Sequence, residues 1–241
     1  MKKNMPILET LPIAKTVTNL TLPKIYGLIL ARGGSKTIPN KNTKLLNGKP
    51  LIAYIIEQAL KTKSLDQVWL SSDSKETLEV ASGLGISVIL RPPELAQGDK
   101  PIESIEHFLE NKKECDVVVL LNACCPLTKV QDIENAIQIF QNVNCDSVVS
   151  LVEDFSCHPS KLCGLGKFDK VLTLGIFKTG ERQGLDRIYK RNTAIYLAKK
   201  EVIMNGTLFG NDIRGYVMPK ERSWDINDEF DWKIAEYLIK N

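Results

Sequence analysis

Ile25-Tyr26-Gly27-Leu28-Ile29-Leu30-Ala31-Arg32-Gly33-Gly34-Ser35-Lys36-Thr37-Ile38-Pro39-Asn40-Lys41-Asn42 is the stretch on which the fold turns. Its first six residues are an unbroken apolar run, the mark of a strand buried on both faces. The run passes directly into two glycines ringed by Arg32, Lys36 and Lys41. Gly33 and Gly34 allow tight backbone conformations whose N–H groups can converge on an anion. Open parallel sheets bind ligands beyond the carboxyl ends of their strands, which is where this loop falls. It is not a Walker A loop, because Ile29 stands where the first glycine is required, and it is not a Gly-x-Gly-x-x-Gly fingerprint. Physics alone reads it as a phosphate loop, with an ordinary basic turn as the alternative.

Outward from this stretch, apolar runs alternate with helical patterns. Strands are predicted at Val68–Ser71, Ile86–Leu90, Val117–Leu121 and Ser147–Val152, and helices at Leu51–Leu60, Lys75–Leu84 and Ile102–Asn111. A further helix opens at Thr128, with Gln131 three residues on as a capping box. The alternation predicts an α/β fold with a mostly parallel, Rossmann-like sheet covered by helices. After Glu153 the rhythm breaks into short β-like pieces rich in glycine, so residues 154–190 read as an inserted arm. Ala194–Ala198 and Tyr216–Met218 return to strand, and Asn227 is expected to cap a final helix carrying Phe230, Ile234 and Leu238.

The chain has 241 residues, which suits one domain over 23–241 with a loosely held N-terminal extension over 1–22. The extension has no sustained apolar segment and is not read as a signal peptide. A net charge of +3 is too mild to argue for nucleic acid, and no apolar run is long enough to cross a bilayer. Six cysteines without Cys-x-x-Cys pairs fit reduced thiols and a cytoplasmic protein. Charge is more telling locally. No acidic residue lies between Glu9 and Glu57, while Lys15, Lys24, Arg32, Lys36, Lys41, Lys44 and Lys49 do. A field of one sign favours a polyanionic ligand; a solvated basic face is the bland alternative.

The pattern Arg32-x-x-Ser35-Lys36-x-x-Pro39-x-Lys41-Asn42 after an N-terminal strand resembles the signature loop of the N-acylneuraminate cytidylyltransferases. Further similarities follow in chain order: Ser72-Asp73, Arg91-Pro92-Pro93-Glu94-Leu95-Ala96, Asn122 to Leu127, Arg182-Gln183, Arg191 to Tyr196, and Ser223-Trp224-Asp225-Ile226-Asn227 beside that family's Asp-x-Asp metal motif. The resemblance implies a nucleotidyltransferase-type fold whose β-rich arm serves dimerisation, hence a homodimer. It implies transfer of CMP from CTP to the anomeric hydroxyl of a nonulosonic sugar acid, with Mg²⁺. By resemblance, Arg32, Lys36 and Asp225 are catalytic. Ala31, Gly33, Gly34, Ser35, Lys41, Asn42, Asp73 and Arg91 seat the nucleotide, with a structural role open for Asp73. Asn122, Arg182, Gln183, Asn192 and Tyr196 face the sugar, and Asp225 with Asn227 holds the metal.

Departures from the family pattern gather on the acceptor side. Asn227 stands for the second metal aspartate and offers a carbonyl oxygen without charge. Asn122 shortens a glutamine, Cys124 and Cys125 replace Thr and Ser, and Thr193 replaces the glycine of Asn-Gly-Ala. They keep two alternatives open: the same reaction on a legionaminic, pseudaminic, Kdn or Kdo-type acid, and a CTP-binding subunit without catalysis. His158, Cys157 and Cys163 have the wrong spacing for zinc, and two histidines with no Gly-x-Ser-x-Gly leave little for a hydrolase.

Overall fold

Strands that are apolar on both faces need cover on both faces, and the chain supplies helices for each. The computed structural model describes residues 22–35, 37–96, 101–173 and 186–240. In chain order its elements are β1 (Ile25–Leu30), β2 (Leu45–Leu46), β3 (Lys49–Pro50), α1 (Leu51–Lys61), β4 (Gln67–Ser72), α2 (Lys75–Gly83) and β5 (Ser87–Leu90). Next come α3 (Pro101–Asn111), β6 (Val117–Asn122), α4 (Val130–Val143), β7 (Ser147–Glu153), β8 (Cys163–Leu165) and β9 (Val171–Thr173). The described chain ends with β10 (Tyr189–Lys199), α5 (Lys200–Met204), β11 (Ile213–Val217) and α6 (Glu229–Lys240).

Seven strands form one sheet in the order β11-β7-β10-β6-β1-β4-β5. All neighbours are parallel except β10, which runs antiparallel to both β6 and β7. The expected mostly parallel α/β sheet is therefore present. In β1, Ile25 and Ile29 point to a core shared with α1, α2 and α4, while Tyr26 and Leu28 point to a second core under α3 and α5. A third apolar cluster joins Ile38 and Leu46 from the loop region to Leu51, Ile226 and Trp232. It fixes the far end of the glycine loop against the last helix.

The loop returns to α1 through the β2–β3 hairpin. Asn47 and Gly48 take φ values of 48° and 80°, the paired positive angles of a two-residue type I′ turn. Within the predicted arm, β8 and β9 form an antiparallel hairpin. Its turn exposes Phe168.

Two helix starts differ from the sequence reading. Helix α4 begins after Lys129, and the carboxylate of Asp132 accepts the Lys129 N–H at 2.9 Å. Gln131 instead donates to Asn135 along the helix. The start is set by tertiary contacts. Fully buried Asp132 also accepts the Tyr216 hydroxyl at 2.8 Å and two guanidinium N–H groups of Arg222 at 2.9 and 2.8 Å. Helix α6 is capped by Asp228, not Asn227: Asp228 Oδ1 accepts the N–H groups of Phe230 and Asp231, both at 2.9 Å. Asp231 reciprocates through Oδ2 to the N–H groups of Asn227 and Asp228. The Asn227 side chain turns back toward Asp225.

Asp132 thus ties α4 to β11 and to the turn before the Asp225 segment. Asp132→Ala is expected to destabilise the fold by about 2–3 kcal/mol, less than a fully enclosed ion pair would cost because Arg222 keeps access to water. Urea denaturation should show a lower midpoint with an unchanged slope.

Candidate active site

The chain leaves β1 through Ala31, whose N–H still pairs with Ser71 at 3.0 Å. Beyond it the loop is pinned from beneath. The Gly33 N–H donates to Asp73 Oδ1 at 3.0 Å, and a Cβ at Gly33 would lie 2.8 Å from the Ser74 Cβ, closer than packed carbons allow. Glycine is needed there for close approach, not for an unusual backbone angle. A side chain at Gly34 would meet open space. Ten residues on, the amide of buried Asn42 donates to the Arg32 carbonyl at 2.8 Å and closes the loop into a ring. Ser35 Oγ accepts the Ile38 N–H at 3.4 Å inside that ring. Lys36, Arg182 and Gln183 lie outside the described residues.

A cavity of about 610 Å³ opens over the carboxyl ends of β1 and β6. Arg32, Ser35, Lys41 and Asn42 line it from the loop, Arg91 and Ser104 from one side, and Asn122, Cys124 and Asn227 from the other. This is the switch point of the sheet, because β4 lies on one side of β1 and β6 on the other. Lys41 Nζ donates to the Ile226 carbonyl at 2.9 Å, and the Ile226 N–H donates to the Cys124 carbonyl at 2.9 Å. One residue thereby ties together the loop, the turn after β6 and the Asp225 segment. Arg91 is 3% exposed. Its guanidinium donates to Ser104 Oγ at 2.9 Å and lies 3.5 Å from Asp73 Oδ1, while Nε has no partner in the protein. Burial lowers its pKa, opposed by Asp73. Asp73 therefore links the loop backbone to Arg91 and does not itself line the cavity.

Asp225 lines a second cavity of about 260 Å³, which shares Asn227 with the first. Its Oδ2 accepts from the Thr193 hydroxyl at 3.0 Å and from the Asn227 amide at 3.3 Å. Its Oδ1 is shut off from solvent and has no partner. Burial raises the Asp225 pKa, against the Thr193 and Asn227 hydrogen bonds. A buried carboxylate oxygen without a donor fits an oxygen-seeking cation such as Mg²⁺. Among the described residues no group of three or more His, Cys, Asp or Glu comes together. A metal here would complete its shell with ligand oxygens and water.

The remaining predicted residues are placed less directly. Asn122 lines the main cavity, but its Oδ1 accepts the Cys124 N–H at 2.9 Å and shapes the turn. Asn192 is 4% exposed, and its amide is engaged by Ser150, by Ser223 at 2.9 Å and by the Met218 sulfur. It holds the bulge of β10 together. Tyr196 stacks edge-on with Phe209, ring centroids 6.2 Å apart, and lines neither cavity. Ser104 and Thr193 were not singled out as site residues by sequence. For Ser104 a signal existed: a hydroxyl interrupts the apolar stripe of Ile105, Phe108 and Leu109.

A sheet of this order with a pinned glycine loop and a basic cavity at its switch point belongs to the nucleotidyltransferase-type α/β class. Residues 26–216 match the family described as cytidylyltransferase, and the chain belongs to that family. It is 34% identical over 229 residues to N-acylneuraminate cytidylyltransferase A of Danio rerio, covering 92% of this chain and 53% of the relative. The chain spans about half the length of the first curated relatives it matches. It is 32% identical over 233 residues to post-translational flagellin modification protein B of Campylobacter coli, covering 91% of this chain and 96% of the relative. The solved structure of CMP:2-keto-3-deoxy-manno-octonic acid synthetase complexed with CTP superposes with a TM-score of 0.70. The match covers 90% of this chain and 98% of that one at 16% identity, a likeness of fold. Among the described residues no helix is long and apolar enough to cross a membrane.

The isolated Asp225 carboxylate sets a measurable balance. Its folded-state pKa lies above the unfolded value, so the fold favours the protonated acid. The cost of ionising it is absent below the ordinary carboxylate pKa and grows as pH rises through that value toward the folded one. With metal removed by EDTA, Asp225→Asn is expected to melt no lower than the parent protein at neutral pH. On acidification the parent should gain relative to the variant; calorimetry at stepped pH checks both.

Proposed function

We propose that the chain transfers CMP from CTP to the anomeric hydroxyl of a sialic-acid-like nonulosonic acid and releases pyrophosphate. The observation that carries this is the basic cavity at the switch point, bounded by Arg32 and Lys41 on one side, Arg91 on another and Asn227 across from them, with Asp225 in the adjoining cavity that shares Asn227. In the reaction the sugar's anomeric oxygen forms a bond to the α-phosphorus and loses its proton. The bond from the α-phosphorus to the bridging oxygen breaks, and pyrophosphate takes that electron pair.

Negative charge builds on the non-bridging and leaving oxygens, so cations already in place lower the barrier most. Arg32 and Lys41 face that charge from the ring, joined by Lys36 on the sequence resemblance. Mg²⁺, when bound, neutralises phosphate charge and orients the leaving group. Asp225 Oδ1 and the Asn227 side-chain carbonyl are the protein oxygens offered to it. Buried Arg91 holds the floor of the cavity through Ser104 and Asp73. The Asn122–Cys124 turn forms the wall toward the acceptor. A homodimer built through the 154–190 arm belongs to the same proposal and rests on the sequence resemblance.

A second reading keeps the reaction and changes the acid to a legionaminic, pseudaminic, Kdn or Kdo type. It is favoured by the relative matched along nearly its whole length, which is named for flagellin modification, and by the shortened Asn122 and the thiol of Cys124 on the acceptor wall.

Pyrophosphate release from CTP with N-acetylneuraminate is expected to require both sugar and Mg²⁺, to stop with EDTA, and to fail with ATP, GTP or UTP. Release with another acid from a panel, and none with N-acetylneuraminate, selects the second reading; CTP binding without release from any acid refutes catalysis. Lys36→Ala and Asp225→Ala are each expected to cut turnover by ~10²–10³-fold with the circular dichroism unchanged. Near-normal rates in both variants refute the assignment. Gly33→Ala, whose Cβ must push the loop off Ser74, is expected to weaken CTP binding on the order of 10- to 100-fold by titration calorimetry.

A further inference from the structure

Thr193 is the one threonine among the described residues with a left-handed backbone, φ 61°. A β-branched side chain is crowded there, so the conformation costs energy that a glycine would not. Such strain persists only where the surroundings over-determine it. Here the strand register of β10 against β7 slips between Arg191 and Tyr196. The resulting bulge is clamped on both sides of Thr193. Ser150 Oγ accepts the Ile195 N–H at 2.8 Å and donates to the Asn192 side chain, whose amide in turn donates to Ser223 at 2.9 Å. Bulges of this kind re-aim a side chain at a site.

The side chain so aimed is the Thr193 hydroxyl. Asn122 Nδ2 approaches it at 3.5 Å, leaving its proton for an acceptor. The choices are the neighbouring Asn192 carbonyl at 2.8 Å and Asp225 Oδ2 at 3.0 Å. The charged oxygen is the stronger acceptor. With Asn227 donating to the same Oδ2, that oxygen is saturated while Oδ1 stays bare. We infer that Thr193 is a positioning residue: its hydroxyl, delivered by the strained bulge, locks the Asp225 carboxylate through Oδ2, so that Oδ1 is the one oxygen left without a protein partner for a divalent cation to claim as a single-oxygen ligand. The inference rests on the reading of Asp225 as a metal-holding residue.

Strain and hydrogen bond are separated by comparing Thr193→Ala with Thr193→Ser, which differ only by the hydroxyl. The full-length chain with CTP is titrated with Mn²⁺, and free ion is counted by electron paramagnetic resonance. The Mg²⁺ concentration for half-maximal pyrophosphate release is measured alongside, with melting in EDTA. Thr193→Ser is expected to bind Mn²⁺ like the parent, and Thr193→Ala about tenfold more weakly, the size of effect expected from losing a group that orients a metal ligand. Thr193→Gly should melt at or above the parent in EDTA, yet share the weak binding. Alanine and serine variants within about threefold of each other overturn the inference, since a mere bulge filler would not distinguish them. Asp225→Asn in the same titration tells the two levels apart. Parent-like Mn²⁺ binding by that variant refutes the metal role itself; weak binding there, with parent-like alanine and serine variants, refutes only the positioning by Thr193.

Discussion

Everything at the site depends on the gap between the carboxyl ends of β1 and β6. The connections after these two strands must diverge, because β4 lies on one side of β1 and β6 on the other. A crevice at such a point is a consequence of topology and needs no side chain to carve it. What needs side chains is keeping it open and lining it with charge. Ile226 does much of this through its backbone, accepting from Lys41 and donating to Cys124. Its side chain, buried with Ile38 and Trp232, seats the same segment in the third apolar cluster. The crossing of loop, turn and C-terminal segment is therefore held by apolar burial, and the polar groups are left to face the cavity.

The cavity's polar walls are expensive in the absence of ligand. Arg91 is buried with one carboxylate at 3.5 Å and an unpartnered Nε, and Asp225 keeps a buried oxygen without a donor. Either would be better replaced by an apolar residue if stability alone were at stake. The two costs lie in adjoining cavities, Arg91 in the main one and Asp225 in the second, with Asn227 lining both. A polyanion with a divalent cation would satisfy both at once, the phosphates meeting Arg91 and the cation meeting Asp225. A structural ion pair would instead have brought the two charges together. The separation of Arg91 from Asp225 is thus more informative than the presence of either.

The strands and helices of the sheet were legible because their periodicities are long and unmixed; Val117 to Leu121 can hardly be anything but a central strand. The β2–β3 hairpin is harder to read: Asn47-Gly48 is a strong turn signal, but only two residues flank it on each side. The helix starts slipped by a residue because caps are decided by competition. Asp132 outbids Gln131 once Arg222 and Tyr216 draw it inward, and no local pattern reveals partners 84 and 90 residues away. At the site, the local glycine-loop pattern pointed to Arg32, Ser35, Lys41 and Asn42, and these four line the main cavity. Asn192 and Tyr196 came from resemblance as sugar-facing groups; Asn192 lines the second cavity while its amide braces the bulge, and Tyr196 packs on Phe209 and lines neither cavity. A motif reports that a residue type belongs at a position, not which way its atoms are engaged.

The substitutions that depart from the family pattern make sense as a group when their contacts are traced. Asn227 removes one negative charge, and a motif left with a single carboxylate gains, on the proposed metal role, from having that carboxylate rigid, since a freely rotating one divides its time between orientations. Asn227 itself supplies one restraint through its amide, a donor that an aspartate at the same place would lack. Thr193 supplies the other, at the cost of a backbone angle that suits glycine better. Asn122 then approaches the same hydroxyl from the wall of the main cavity, linking the two cavities through one oxygen. Three changes that look independent along the sequence converge within hydrogen-bonding distance of Asp225 or of its partner. On the proposed metal role of Asp225, charge lost at position 227 is offset by order imposed at position 225.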